Sequence, residues 1–196
     1  MKILDEFKDN MLPTVETKRL ILRQRTVDDA TDIFAYAHLE CVANPAGFIP
    51  AKTVQDSIDF INFLHKKTKE STIPSGYGIT LKENNIVIGS VDFNRRYGNQ
   101  EHILELGYAL HPDYWGQGIV VEAARALIDV TFMLLKDIHK IGVSHYALNH
   151  QSKRVIEKLG FIYEGICRDV YVLNGCYYDG YQYGLLRKEW EENSRV

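Results

Sequence analysis

The chain has little cysteine: three in 196 residues, at Cys41, Cys167 and Cys176, with no C-x-x-C and no nearby pair of histidines. That pattern suggests neither a zinc site nor a disulfide framework and fits a reducing, cytoplasmic setting. There is no excess of positive charge either. Lys+Arg number 23 against 26 Asp+Glu, a net charge of −3, so no bulk field exists to hold nucleic acid or an anionic membrane. Long apolar runs are absent as well. Asp5 and Glu6 interrupt the N-terminus where a signal peptide needs an unbroken stretch, and the best run elsewhere, residues 126–135, contains Asp129. Neither export nor a membrane span is expected. The seven histidines (38, 65, 102, 111, 139, 145 and 150) include no H-E-x-x-H; His111 and His145 read as packing or surface residues, and no metal is expected. With no internal repeat, low-complexity tract or Gly/Pro/Ser linker, the chain reads as one domain over 14–196 behind a loosely held leader, residues 1–13.

What is present is a change of hydrophobic period along the chain. Residues 17–26 (TKRLILRQRT) alternate as a strand near a sheet edge. Thr26, Asp28 and Asp29 then suit a helix start, with Ala30, Ile33, Phe34 and Ala37 as its buried stripe. NPAGFIP (44–50) breaks that pattern, and Thr53 opens a second helix with Val54, Ile58, Ile61 and Leu64 at helical spacing. From Tyr77 the period falls to two. YGITLKE, a turn at Asn84-Asn85, IVIGSVDFNRR, a turn around Gly98-Asn99, and HILELGYALH make an antiparallel meander in which Arg95-Arg96 reads as a solvated strand end. A long helix follows to about Lys136, then a fifth strand, IGVSHYAL, and a helix opened by Asn149 and closed by Gly160. The Asn174-Gly175 turn joins two closing strands, 161–173 and 176–186, whose tyrosines (171, 177, 178, 181, 183) suit cross-strand pairing or the wall of a pocket. The order β-α-α-β-β-β-α-β-α-β-β predicts an α/β fold: a mixed, mostly antiparallel sheet with helices on both faces.

The most informative segment is ELGYALHPDYWGQGIVVEA (105–123), a strand that passes through a proline turn into a helix with glycines at 116 and 118. Backbone N–H groups of such a first helical turn suit a phosphate, although Gly116 and Gly118 also suit a mere tight turn. A Walker A loop needs a lysine after the glycine, and none is there. A Rossmann fingerprint needs Gly or Ala where Val121 stands. ATP- or NAD-dependent chemistry is therefore a third choice.

These residues resemble the GNAT superfamily of N-acetyltransferases, and within it the ribosomal-protein N-terminal (alanine) acetyltransferases. The resemblance spans about 14–190 and rests on four stretches. They are TKRLILR, LGYALHPDYWGQGIVVEA, Asn149-x-x-Ser152 with Glu157-Lys-Leu-Gly-Phe161, and the closing Asn-Gly hairpin that ends in LLRKEW. It implies a sheet splayed between the fourth and fifth strands of the reading above, with acetyl-CoA in the splay. The backbone of Tyr108, Ala109 and Leu110 would then pair with the pantetheine arm, and Gly116, Gln117, Gly118, Ile119, Val120 and Val121 would cradle the pyrophosphate. Asn149 matches the asparagine that bonds the pantetheine, and also reads as a plain N-cap. Val120 stands where Gly or Ala is usual and crowds the phosphates; Trp115 is ordinary in this branch.

Acetyl transfer to an amine needs a base, donors for an oxyanion, and a proton for the departing thiolate. Glu105 is the nearest carboxylate on the cofactor strand, although a solvent-facing role fits its position equally well. N–H groups near Leu110 suit the oxyanion. The resemblance implies a tyrosine acid at the position of Ile156, so Ser152 takes that role, with Tyr171 second; Ser152 also fits as part of its helix's first turn. Phe48 and Ile49 read as the apolar lip of an acceptor site. No cysteine lies in these motifs, so direct attack by a primary amine, on a protein N-terminus or a small molecule, is expected rather than an acyl-enzyme. The alternative is a CoA- or peptide-binding module with weak or no turnover, and relatives make a homodimer a reasonable expectation.

Overall fold

A computed structural model describes residues 1–70, 73–94, 100–173 and 175–193. The turn around Gly98-Asn99, the Arg95-Arg96 strand end and Asn174 lie outside the described residues. Along the chain run β1 (Lys2–Ile3), β2 (Val15–Glu16), β3 (Leu20–Arg23), α1 (Ala30–Ala37), α2 (Glu40–Ala46) and α3 (Val54–Glu70). They are followed by β4 (Tyr77–Leu81), β5 (Val87–Asn94), β6 (Ile103–Leu110), α4 (Ile119–Leu134) and β7 (Lys140–Tyr146). The chain closes with α5 (His150–Leu159), β8 (Ile162–Leu173), β9 (Cys176–Leu186) and α6 (Arg187–Asn193). The strands form one sheet in the order β1-β2-β3-β4-β5-β6-β7-β9-β8, antiparallel except where β6 meets β7.

Alternation along the strands sorts side chains to two helical layers. Leu104, Leu106 and Leu110 of β6 join Ala123, Leu127 and Ile128 of α4 and Ile156 of α5 in the larger core. Ala109, one residue out of phase, joins Ile33, Tyr36, Val42 and Ile61 under α1, α2 and α3. Among the described residues no helix is long and apolar enough to cross a membrane. The three cysteines are free and exposed.

Four features depart from the sequence-based expectation. Strand one is shorter, Leu20–Arg23, because Thr17 turns the chain: its N–H bonds the Leu20 carbonyl, and the Leu20 N–H bonds its hydroxyl. Three helices follow it rather than two. Asn44, Pro45 and Ala46 belong to α2, since a proline this late in a seven-residue helix removes few internal bonds. Gly47, at φ +78°, ends it in a Schellman motif: Phe48 N–H reaches the Ala43 carbonyl and Gly47 N–H that of Asn44. Beyond the last strand stands α6, not anticipated. The Arg187 guanidinium donates to the carbonyls of Phe132 (2.6 Å), Leu135 (2.6 Å) and Ile138 (2.9 Å), serving the C-terminal end of α4. Phe34 is only half-buried, and Tyr36 fills that face of α1 instead.

Residues 1–13, read as a loose leader, are tied to the sheet. β1 pairs with β2, Leu12 is buried, and the fully buried Tyr77 donates its hydroxyl to the Pro13 carbonyl at 2.5 Å. Tyr77→Phe leaves that carbonyl without its partner. An expected loss of about 1–3 kcal/mol corresponds to a drop in Tm of about 2–12 °C for a chain of this size, read by thermal denaturation.

Candidate active site

β6 is bonded to β5 from Glu105 to Leu110, and β7 to β9 from Lys140 to Tyr146, but β6 and β7 pair only from Ile103↔Lys140 to Glu105↔Gly142. Beyond Glu105 the two strands part. The His111 N–H bonds the Ile88 carbonyl (2.8 Å), which fixes the alternation of backbone groups along β6. Tyr108 and Leu110 therefore turn theirs into the gap, whereas those of Ala109 point to β5. Of the three residues expected along a pantetheine arm, Ala109 thus contributes no main-chain group to the gap. Trp115 Nε1 donates to the Leu110 carbonyl at 2.8 Å and pins the following loop to the end of β6.

That loop ends in the glycines. Gly116 and Gly118 both have positive φ, +75° and +73°, and neither has a backbone or core neighbour that a Cβ would meet, so conformation rather than space requires glycine. Gly118 is the N-cap of α4 and brings no side chain to its first turn. The N–H groups of Ile119, Val120 and Val121 are left without intrahelical partners beside the exposed residues 116–118, an arrangement that fits an anion. Val120 is buried in the core, so its side chain points away from this cradle. The same holds for Ile156, which is fully buried. The cradle is held from the turn between β2 and β3: Arg19 donates Nη1 to the Gln117 carbonyl (2.9 Å) and Nε to Glu122 (2.7 Å), while Thr17 Oγ1 and the Arg19 N–H also donate to Glu122. Sequence reading passed over this clamp, since residues 19 and 122 stand far apart in the chain.

On the wall of the gap formed by α5, Asn149 Oδ1 accepts the Ser152 N–H (3.0 Å), which is the capping role, and Ser152 Oγ bonds the Tyr108 hydroxyl at 2.6 Å. Burial, eased by the Ser152 bond and reinforced by nearby Tyr171, pushes the Tyr108 phenol up to about 12. It stays protonated at any physiological pH.

Glu105 and Tyr171 meet on the opposite face of the sheet. Ser144, on β7, donates Oγ to Glu105 Oε1 at 3.0 Å and bonds the Tyr171 hydroxyl at 2.6 Å. Tyr171 belongs to the edge strand β8, and to reach β7 its ring must cross β9. It does so over Gly180, where an added Cβ would lie 2.9 Å from the ring and 2.5 Å from Val170. An irregularity between Cys167 and Tyr171, with Asp169 at φ +53° bonded to the Asp179 carboxylate, sets the strand at that angle. The one signal available for Ser144 was its strand alternation with Gly142; the β6/β7 register that places it beside Glu105 is not written in the sequence.

The same face opens on a cavity of about 710 Å³ between β5, β6 and α1–α3. Phe48 lines it, held by the Schellman turn and half-buried against the α1–α3 core, and Ile49 stands at its edge, 87% exposed. Arg25, 4% exposed, forms a two-point pair with Asp92 in the cavity wall. Nearby, burial pushes the Tyr36 phenol up to about 12. His145 is buried and stacked on Tyr181, and His111 packs edge-on to Tyr114. No group of three metal-ligating side chains converges among the described residues.

The clamp has a pH signature. Burial pushes the Glu122 carboxyl up, but hydrogen bonds from Thr17 and Arg19 outweigh it and hold it below its ordinary 4.5. A lowered folded value gives stability that is complete above the unfolded value and is lost as pH falls through the folded one. Glu122→Gln is expected to cost about 1 kcal/mol at neutral pH. The gap in Tm from the parent should close in a denaturation series as pH is lowered below 4.5, through the depressed folded value.

Residues 19–162 match the acetyltransferase (GNAT) domain family. An uncharacterized N-acetyltransferase of Bacillus subtilis (strain 168), YoaA, is 29% identical over 177 residues, 90% of this chain and 98% of its own. The [ribosomal protein uS5]-alanine N-acetyltransferase of Escherichia coli (strain K12) is 25% identical over 136 residues, 69% and 68% of the two chains. Among solved structures, a GNAT-family acetyltransferase from Bacillus anthracis superposes with a TM-score of 0.76 at 26% identity, over 90% of this chain and 99% of that one. The microcin C7 self immunity acetyltransferase MccE, solved with acetyl-CoA and AMP, has the same fold, with a TM-score of 0.75 at 22% identity over 87% and 93%. With the parted strands and the uncapped glycine turn between them, the match over most of its length means that this chain belongs to the GNAT family of acetyltransferases.

Proposed function

We propose that the protein transfers an acetyl group from acetyl-CoA to a primary amine by direct attack, with the amine entering from the cavity lined by Phe48. The observation that carries this reading is the gap beyond the Glu105↔Gly142 pair. It has an anion cradle at one end and the Glu105–Ser144–Tyr171 row beside an acceptor-sized cavity at the other. Acetyl-CoA, when bound, supplies a reactive thioester. The first turn of α4 holds its phosphates, Tyr108 and Leu110 offer main-chain groups to its arm, and the N–H of Leu110 is placed to meet an oxyanion.

Glu105 takes the proton released as the amine nitrogen bonds to the acetyl carbon. Of the two proton donors read from the sequence, geometry favours Tyr171, since it is joined to Glu105 through Ser144 whereas Ser152 is bonded to the phenol of Tyr108. The acceptor is a protein α-amine or an amine on an apolar body, in keeping with the Ile33, Phe48, Phe60 and Ile61 lining. The alternative, a binding module without turnover, drew on Val120 and Ile156. Both side chains lie in the core and obstruct nothing.

Two measurements test the proposal. Acetyl-CoA and CoA, but not ATP or NAD, are expected to raise Tm with concentration, and acetyl-CoA is expected to release free thiol when alanine- and serine-initiated peptides or small amines are added. Binding without thiol release from any of them would leave the module reading in its place. Phe48→Ala is expected to raise the acceptor KM several-fold and leave the acetyl-CoA KM unchanged; equal effects on both would move the acceptor site elsewhere.

A further inference from the structure

Ser144 was assigned no role by the sequence, yet it holds the two groups proposed to handle protons. Its hydroxyl hydrogen lies toward Glu105, to which it donates. In the bond to Tyr171 the serine oxygen must therefore accept and the phenol donate. The row thus has one polarity, Tyr171 to Ser144 to Glu105. Gly180 is the opening that makes it: any side chain there would meet the tyrosine ring as it crosses β9.

We propose that Ser144 is a proton relay that returns to Tyr171 the proton collected by Glu105, an inference that rests on the base and acid roles given above. A free phenol, near 10, is a weaker acid than a free thiol, near 8.5, so a phenol that protonates a departing thiolate needs a second proton behind it. In each turnover a carbon–nitrogen bond forms and the carbon–sulfur bond breaks. Glu105 gains the proton lost by nitrogen, and Tyr171 gives its own to sulfur. Glu105 then passes its proton to Ser144 Oγ as Ser144 passes its original proton to the Tyr171 oxygen. The net change moves one proton from nitrogen to sulfur, needs no outside reagent, and restores the resting polarity of the row. Ser144 needs no exchange with bulk water for this, which suits a half-buried position.

The test uses the full chain with whichever amine of the panel turns over, comparing Ser144→Ala, Ser144→Thr, Glu105→Gln and Tyr171→Phe. Acetyl-CoA dissociation constants and melting curves are measured alongside. Ser144→Ala is expected to lower kcat about 10- to 100-fold with both KM values and acetyl-CoA affinity unchanged. Ser144→Thr, which keeps a hydroxyl on a residue suited to a strand, should recover most of the loss. Adding Ser144→Ala to Tyr171→Phe should cost nothing further. In mixtures of light and heavy water the parent should show the curved rate dependence of several protons moving together, and Ser144→Ala a straight one. If Ser144→Ala fails to fold, Ser144→Cys preserves the volume with a poor donor and replaces it. Wild-type kcat and isotope response in the serine variant, with Glu105→Gln impaired, would overturn the relay and leave the base in place. Wild-type kcat in Glu105→Gln, or no turnover with any amine, would remove the underlying reading and the relay with it.

Discussion

The short parallel seam between β6 and β7 is the constraint on which the architecture depends. Each of these strands is bonded along its length to a different antiparallel neighbour, β5 on one side and β9 on the other, and only three residue pairs stitch them together. Pairing stops after Glu105↔Gly142, and the two antiparallel halves separate there. Separation leaves the backbone donors of Tyr108 and Leu110 and the acceptor of Tyr108 directed into a gap, while Trp115 takes the Leu110 carbonyl. In a core those groups are a liability, whereas beside an amide-bearing ligand they are a binding edge.

The rest of the site is arranged around that opening. α4 carries its uncapped first turn to one end of the gap because the Trp115–Leu110 bond and the Arg19–Glu122 clamp fix the loop before it. The far end of the same helix is served by Arg187, and Trp190 Nε1 donates to Asp129 along its flank, so α6 braces the element that presents the anion cradle. On the other face, α1–α3 build a cavity whose wall contains the buried Arg25–Asp92 pair. That pair ties the segment after β3 to β5 and keeps the buried Arg25 charge balanced in the cavity wall.

What was legible in the sequence follows from which forces are local. The meander, the long helix and the Gly116–Gly118 turn were readable because period, turn chemistry and positive φ are properties of a few neighbouring residues. The break that delivers Phe48 to the cavity was readable for the same reason, although Pro45 disguised the short helix before it. α6 and the first two strands were missed because their reasons for existing are distant: carbonyls of α4 for Arg187, the hydroxyl of Tyr77 for the carbonyl of Pro13. Ser144 was the most consequential omission. Its neighbours Glu105 and Tyr171 are 39 and 27 residues away, and one arrives only through an irregular strand and a missing side chain at Gly180.

The crossing over Gly180 also orders the assembly of the site in time. Strands β1 to β6 are sheet neighbours in the order in which they leave the ribosome, and the cavity under α1–α3 is lined by residues no later than 109. Tyr171 cannot be set against Ser144 until β9, which ends at Leu186, has inserted between β7 and β8. A nascent chain therefore carries every residue that lines the cavity long before it carries β9, and the Glu105–Ser144–Tyr171 row can close only after that strand is made.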